Sequence, residues 1–176
     1  MSLELSDVMI SKEEIQEMCK RVAAEINRDY EGKEVLFVGI LNGAFLFLAD
    51  LIRYIDVPCQ VDFMKVSSYG NAMTSSGNVS IQHDLSTDIE GKHVIIVEDI
   101  IDTGITLNHL KPLLQTRRPA SLSLCAAFDK FERRLVDLDI EYLGIQIPDE
   151  FIVGYGLDFD GHYRNLPDVH YMVNND

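Results

Sequence analysis

Residues 94–106 read Val94-Ile95-Ile96-Val97-Glu98-Asp99-Ile100-Ile101-Asp102-Thr103-Gly104-Ile105-Thr106. Four β-branched residues in succession predict a strand buried on both faces, the pattern of a parallel sheet covered by helices. Glu98 and Asp99 then stand at its carboxyl end, and open parallel sheets bind ligands in the crevice beyond those ends. The next residues lead straight into a helix. Asp102 or Thr103 is the candidate N-cap, and Gly104 lets the backbone approach a ligand closely. A loop of this kind offers free N–H groups and two hydroxyls to one phosphate. The helix dipole contributes only about 0.3–1 kcal/mol, whereas each hydrogen bond to a charged group is worth about 1.5–3 kcal/mol, so the amides carry the attraction. Adjacent acids beside a phosphate need a separate reason, because like charges ~4 Å apart repel by about 4 kcal/mol at an effective dielectric near 20. Carboxylates addressing a ribose diol, with a metal ion between, supply it. Each element alone also suits a plain strand ending in solvated acids before a capped helix. Their conjunction within nine residues is what favours a sugar-phosphate site.

The flanking sequence repeats the same alternation. Ser11 with Glu14 forms a capping box, and Ile15, Met18, Cys19, Val22, Ala23 and Ile26 recur at helical spacing. Residues 34–41 form a nearly continuous apolar run, read as a buried strand, and 44–54 as the helix that follows. Further strands are expected over 60–66, 93–97 and 121–128, with a helix over 104–115. The Ser-, Gly- and Asn-rich residues 67–78 read as a loop. Residues 142–173, broken by Pro148, Gly154, Gly156, Gly161 and Pro167, read as short strands and turns that cap the sheet. The expected architecture is one α/β domain over residues 1–176. It is an open, mostly parallel twisted sheet flanked by helices, with a small hood from about 142–176 and the N-terminus.

Bulk properties narrow the function. A length of 176 residues with 47% apolar and 25% charged residues can bury a full core. The net charge of −14, with no basic patch, argues against nucleic acid as a partner. A phosphorylated ligand must therefore be held by amides, a few placed cations and divalent metal. No apolar stretch is long and unbroken enough to span a membrane, and the acid-bearing N-terminus does not read as a signal peptide. Cys19, Cys59 and Cys125 show no pairing motif. Two of them lie in apolar runs, so buried reduced thiols and a cytoplasmic location are expected. The five histidines show no metal-ligand spacing.

The segment Glu98–Thr106 after an apolar strand resembles the phosphoribosyl-pyrophosphate-binding motif of the type I phosphoribosyltransferases. Within that family the hypoxanthine-guanine enzymes resemble it most. Further segments fall in their order: Leu41-Asn42-Gly43, Ser68-Tyr69, Lys130, and Phe151 through Asp158 with Arg164 beyond. The resemblance covers roughly residues 30–170 and implies a magnesium-dependent transfer of a phosphoribosyl group to a 6-oxopurine. It implies that Glu98 and Asp99 hold the ribose hydroxyls, directly or through Mg2+, and that Thr103, Gly104 and Thr106 cradle the 5-phosphate. Leu41, Asn42 and Gly43 would line the pyrophosphate, often with a non-proline cis peptide. Ser68 and Tyr69 would fold over the site.

For the base, the likeness implies Phe151 stacking on the purine, the Ile152 carbonyl on its edge, and Lys130 donating to the oxygen at C6. Asp158 would help hold magnesium, Arg164 would contact the leaving group, and Asp102 would be the general base. Homodimers or homotetramers are common in the family. The chain departs from the pattern at Asn42, where members often carry Lys or Arg, which bears on affinity for the pyrophosphate donor. Rival readings are a non-catalytic sensor of phosphoribosyl pyrophosphate, a receiver-like signalling domain, and a phosphoribosyltransferase for another base. The absence of a nucleic-acid surface and the presence of Asp102 disfavour the sensor. The Asp102–Thr106 helix start disfavours the receiver, and Lys130 with Phe151 and Ile152 favours 6-oxopurines.

Overall fold

The computed structural model describes residues 3–68 and 79–174. Its main sheet has six strands: β2 (Val35–Ile40), β3 (Cys59–Ser68), β4 (Val79–His83), β5 (His93–Ile101), β6 (Ser121–Asp129) and β7 (Tyr142–Gln146). They lie in the order β4-β3-β2-β5-β6-β7, parallel throughout except for β4. A second, antiparallel sheet joins β1 (Leu3–Ile10), β9 (Val169–Asn174) and β8 (Ile152–Val153) in that spatial order. Helices α1 (Lys12–Asp29) and α2 (Phe45–Ile52) cover one face of the main sheet, and α3 (Ile105–Gln115) covers the other.

Side-chain alternation along the central strands explains this layering. In β2, Val35 and Phe37 enter the core shared with α1 and α2, while Leu36, Val38 and Ile40 enter the core under α3. In β5, Ile95 and Val97 face the first core, Val94 and Ile96 the second. The capping box at Ser11 and Glu14 is present, and all six apolar positions expected on α1 are buried. The crossovers from β2 and from β5 therefore leave on opposite faces, and a crevice opens between the carboxyl ends of these two adjacent strands.

Several elements differ from the sequence expectation. Strand β5 runs on through Ile101, because β6 pairs with it as far as Ile101 opposite Asp129, while pairing to β2 stops at Gly39 opposite Val97. Glu98 and Asp99 thus sit in an overhang of strand whose β2 side is open. The segment expected as a loop from residue 67 starts with the end of β3, and β4 returns antiparallel to it. Strand β7 joins the edge of the main sheet instead of the hood. The N-terminal residues form a full strand, β1, with pairing shifts against β9 that reflect its weakly apolar sequence. Just past α3, Arg117 binds Asp84 bidentately at 2.8 and 2.9 Å, and the exposed Arg118 pairs with Glu90 at 2.9 Å. Cys19 and Cys125 are buried, whereas Cys59 is exposed at the start of β3. No helix among the described residues is long and apolar enough to cross a membrane.

Candidate active site

The loop from β5 to α3 is shaped by Gly104, which occupies the N-cap in the left-handed region at φ 83°. Glycine adopts that conformation without strain. Neither Asp102 nor Thr103 is the N-cap residue, and no side chain caps the helix through that position. The Ile105 amide reaches the Thr103 hydroxyl at 3.4 Å. The first-turn amides of α3, which have no intrahelical partner, therefore face the crevice end of the sheet. Asp102 is engaged elsewhere, accepting a 2.5 Å hydrogen bond from Arg133 Nε.

Arg133 lies on a short 3-10 turn, Phe131–Arg133, directly after β6. Its guanidinium also approaches Asp149 at 3.6 Å, two residues before Phe151. Arg134 binds the buried Asp129 and the Asp102 carbonyl, and the Leu135 amide donates to the Thr103 carbonyl at 3.0 Å. Residues 131–135 thus strap the loop in place from 31 to 32 positions away in sequence. A Cβ added at Gly104 would lie 2.9 Å from Arg134 Cδ, so the strap needs glycine there for space as well as for φ.

A cleft of about 200 Å³ brings together Glu98, Asp102, Thr103, Gly104 and Thr106, closed on its apolar side by Ile40 and Val66. Asp99 lies on the other flank against Gly43: a Cβ at Gly43 would overlap the Asp99 carboxylate. Gly43 follows the Leu41–Asn42 peptide, which is cis. The Leu41 amide is fixed to the Met64 carbonyl at 2.8 Å, and Asn42 is exposed. The loop after β2 and the overhang of β5 therefore meet in the crevice.

Electrostatics marks the acid pair. Burial raises the Glu98 carboxyl well above the ordinary carboxylate range, and the charge of Asp99 adds to it. Burial raises Asp99 as well, opposed by the 2.7 Å bond from the Ile100 amide and by the positive charge of Arg164. Charging both carboxylates at once in so confined a place is unfavourable, a cost that a cation or hydroxyl donors would offset.

The remaining predicted residues lie around this centre. The Lys130 amide donates to the Ile101 carbonyl at 2.9 Å, which fixes the lysine beside the end of β5. Phe151 is 44% exposed and forms a T-shaped pair with Phe159, ring centroids 5.7 Å apart. Ile152 is buried and paired with Tyr171 in the hood. Asp158 accepts the Gly161 amide at 2.9 Å and pairs with Arg164 at 3.1 Å, so it both caps a turn and anchors the arginine. Arg164 also donates to the Gly156 carbonyl at 2.6 Å. Ser68 ends β3, and Tyr69 lies outside the described residues. Among the described residues no cluster of three or more His, Cys, Asp or Glu forms a metal site. The site residues that sequence reasoning missed are Arg133 and Arg134. Their proximity in sequence to Lys130, at a strand end, was the available signal.

Comparison with known proteins agrees with this geometry. Residues 11–160 match the phosphoribosyl transferase domain family. The hypoxanthine phosphoribosyltransferase of Haemophilus influenzae is 46% identical over 163 residues, 91% of each chain. The hypoxanthine-guanine phosphoribosyltransferase of Staphylococcus aureus is 47% identical over 164 residues, 93% of this chain and 92% of the relative. A crystal structure of a hypoxanthine-guanine phosphoribosyltransferase from Bacillus anthracis superposes with a TM-score of 0.93 at 49% identity, covering 97% of this chain and 100% of that one. With the open sheet, the strand overhang and the glycine-started helix already in place, these similarities assign the chain to the phosphoribosyl transferase family, among its hypoxanthine-guanine members.

Proposed function

We propose that the chain transfers the 5-phosphoribosyl group from phosphoribosyl pyrophosphate to a 6-oxopurine, hypoxanthine or guanine, giving IMP or GMP and pyrophosphate. The observation that carries this reading is the β5 overhang, which delivers an acid pair and an amide-rich helix start to one crevice. In this reading Thr103, Gly104 and Thr106 bind the 5-phosphate through backbone amides and hydroxyls, with the α3 dipole adding a smaller share. Glu98 and Asp99 accept the ribose hydroxyls. Leu41, Asn42 and Gly43 line the pyrophosphate opposite Arg164.

On the purine side, the exposed ring of Phe151 stacks on the base. Lys130 donates to the oxygen at C6 and rejects an amino group there, because a donor facing a donor leaves both unpaired. Asp102 takes the proton from the attacking purine nitrogen: Arg133 holds one carboxylate oxygen and leaves the other to accept. Its negative charge also stabilises the positive charge that develops on the ribosyl ring.

The donor set fits magnesium, which is typically held by one or two carboxylates together with substrate oxygens. Glu98 and Asp99 are hard oxygen ligands whose burial disfavours their charge until a cation compensates it. Asp158 would contribute only by loosening its pair with Arg164. When bound, the ion would neutralise the departing pyrophosphate. We also assign the protein to a reducing, cytoplasmic compartment and to a homodimer or homotetramer. Phe45 on α2 and Val61 on β3, each 40% exposed, supply apolar surface for the assembly.

The test is direct. The purified protein is given phosphoribosyl pyrophosphate and magnesium chloride with hypoxanthine, guanine, xanthine, adenine or uracil in turn, with a chelator control. Magnesium-dependent nucleotide and pyrophosphate from hypoxanthine or guanine, and none from adenine or uracil, is the expected result. Product from none of the five would overturn the reading.

A further inference from the structure

A partly buried polar network, anchored on the buried Tyr155 and Cys19, lies beside the site without touching its cleft. The Tyr155 hydroxyl donates to Asp50 Oδ2 on α2 at 2.7 Å and lies 3.6 Å from the Cys19 thiol on α1. Gln16 Nε2 donates to the same Asp50 oxygen at 3.1 Å, and the Tyr54 hydroxyl donates to Gln16 Oε1 at 3.0 Å. Tyr155 is only 5% exposed, and its ring stands edge-on to Phe128 with centroids 6.4 Å apart. A buried tyrosine with its hydroxyl satisfied is ordinary. Its backbone is not.

Gly154, Tyr155 and Gly156 have φ angles of 99°, 49° and 94°, three left-handed residues in succession with a non-glycine in the middle. Such a conformation persists only where the surroundings over-determine it, and here the hydroxyl anchor, the Phe128 contact and the 2.8 Å bond from the Tyr155 amide to Leu166 do so. This run separates the purine residues Phe151 and Ile152 from Asp158 and Arg164. Its Gly156 carbonyl receives Arg164, and a Cβ on Gly156 would overlap the Gly43 carbonyl. Gly43 begins the segment that becomes α2, and α2 carries Asp50. The loop that would hold the pyrophosphate and the segment that would hold the purine are thus pinned to each other at one point.

We propose that Asp50 and Tyr155 are positioning residues that keep the purine and pyrophosphate halves of the site in register. The inference rests on the function proposed above. The experiment measures both Michaelis constants, turnover and Tm for wild type, Tyr155→Phe, Asp50→Asn and the double variant, well below every Tm. Tyr155→Phe should raise KM for both the purine and phosphoribosyl pyrophosphate by roughly three- to tenfold, the fold-change carried by one ordinary hydrogen bond. The double variant should be no worse than the poorer single variant, because both substitutions break one unit. A lowered Tm with both constants unchanged, or a change in only one constant, would overturn the proposal. Should either variant fold poorly, Gln16→Ala loosens Asp50 from the α1 side and should give the same paired rise to a smaller extent; unchanged constants there would count equally against it. An inactive wild type would refute the proposed function instead, so the two failures are distinguishable.

Discussion

Asp102 and Glu98 stand four residues apart on one strand end, yet their surroundings set them different tasks. Asp102 is half exposed and held by Arg133 through one oxygen, so it is oriented while remaining open to a substrate proton. Asp102→Asn keeps the shape and removes the base. Turnover is expected to fall by roughly 10²–10⁴, the usual range for a lost acid–base group, with both Michaelis constants little changed. Steady-state kinetics checks this, and near-normal turnover would remove Asp102 from the proton transfer. Glu98 faces the opposite balance, because burial and Asp99 raise its folded pKa above the unfolded value. The folded chain then keeps a proton that the unfolded chain releases, so this residue's contribution to stability declines as pH rises from the unfolded toward the folded pKa. Above the folded pKa the penalty is complete, and below the unfolded pKa, near ~4.3, it vanishes. Glu98→Gln carries no such charge. Its Tm should exceed that of the wild type at neutral and alkaline pH, the gap closing as the solution is acidified, while its activity drops. A Tm difference independent of pH would show that Glu98 carries no buried-charge penalty.

Strand β5 owes its role to its neighbours as much as to its own residues. Its apolar run was readable because burial on both faces leaves no polar alternation to misread, and the same held for β2. The α1 cap was readable because Ser11 and Glu14 act within one turn. The overhang was not readable, since it depends on where β2 stops relative to β6. Strands β1 and β4 were missed for the same reason: each is weakly apolar and owes its existence to a partner distant in sequence or across the loop. The N-cap reading failed because Asp102 is bound by a residue 31 positions away, and the Tyr155–Asp50 link spans 105 positions. Local chemistry was legible, and non-local pairing was not. The meeting of the β2 loop with the overhang yields a prediction of its own. Gly43→Ala would drive a methyl group into the Asp99 carboxylate, and forcing extra volume into a packed contact costs about 1–3 kcal/mol. Denaturant titration should show a loss of that order, together with a rise in KM for phosphoribosyl pyrophosphate larger than that for the purine. Wild-type stability and kinetics would mean that the two loops separate without cost.

A molecule with a net charge of −14 has to capture a polyanionic donor against its own field. The cleft answers this with short-range devices, namely amides at the start of α3, the Arg164 guanidinium near Asp99, and carboxylates suited to a divalent ion. The exposed Asn42 adds no cation to the pyrophosphate loop. Attraction within the cleft acts over hydrogen-bond distances, whereas repulsion comes from acids spread over the surface. Salt separates the two, because raising ionic strength from about 0.01 M to 0.15 M shortens the screening length from ~30 Å to ~8 Å. The distant repulsion is then damped while contacts inside the cleft persist. At fixed free magnesium and saturating purine, KM for phosphoribosyl pyrophosphate should therefore hold steady or fall as potassium chloride is added. This is the reverse of the behaviour of phosphate-binding proteins that steer their ligands with a basic surface. A steep rise in KM over that range would show that long-range attraction brings in the donor, and would point to cations outside the cleft. Asn42→Lys sharpens the comparison by placing one cation beside the pyrophosphate loop. It should lower KM for the donor severalfold at low salt, and most of that gain should disappear by about 0.15 M if the new charge acts through solvent.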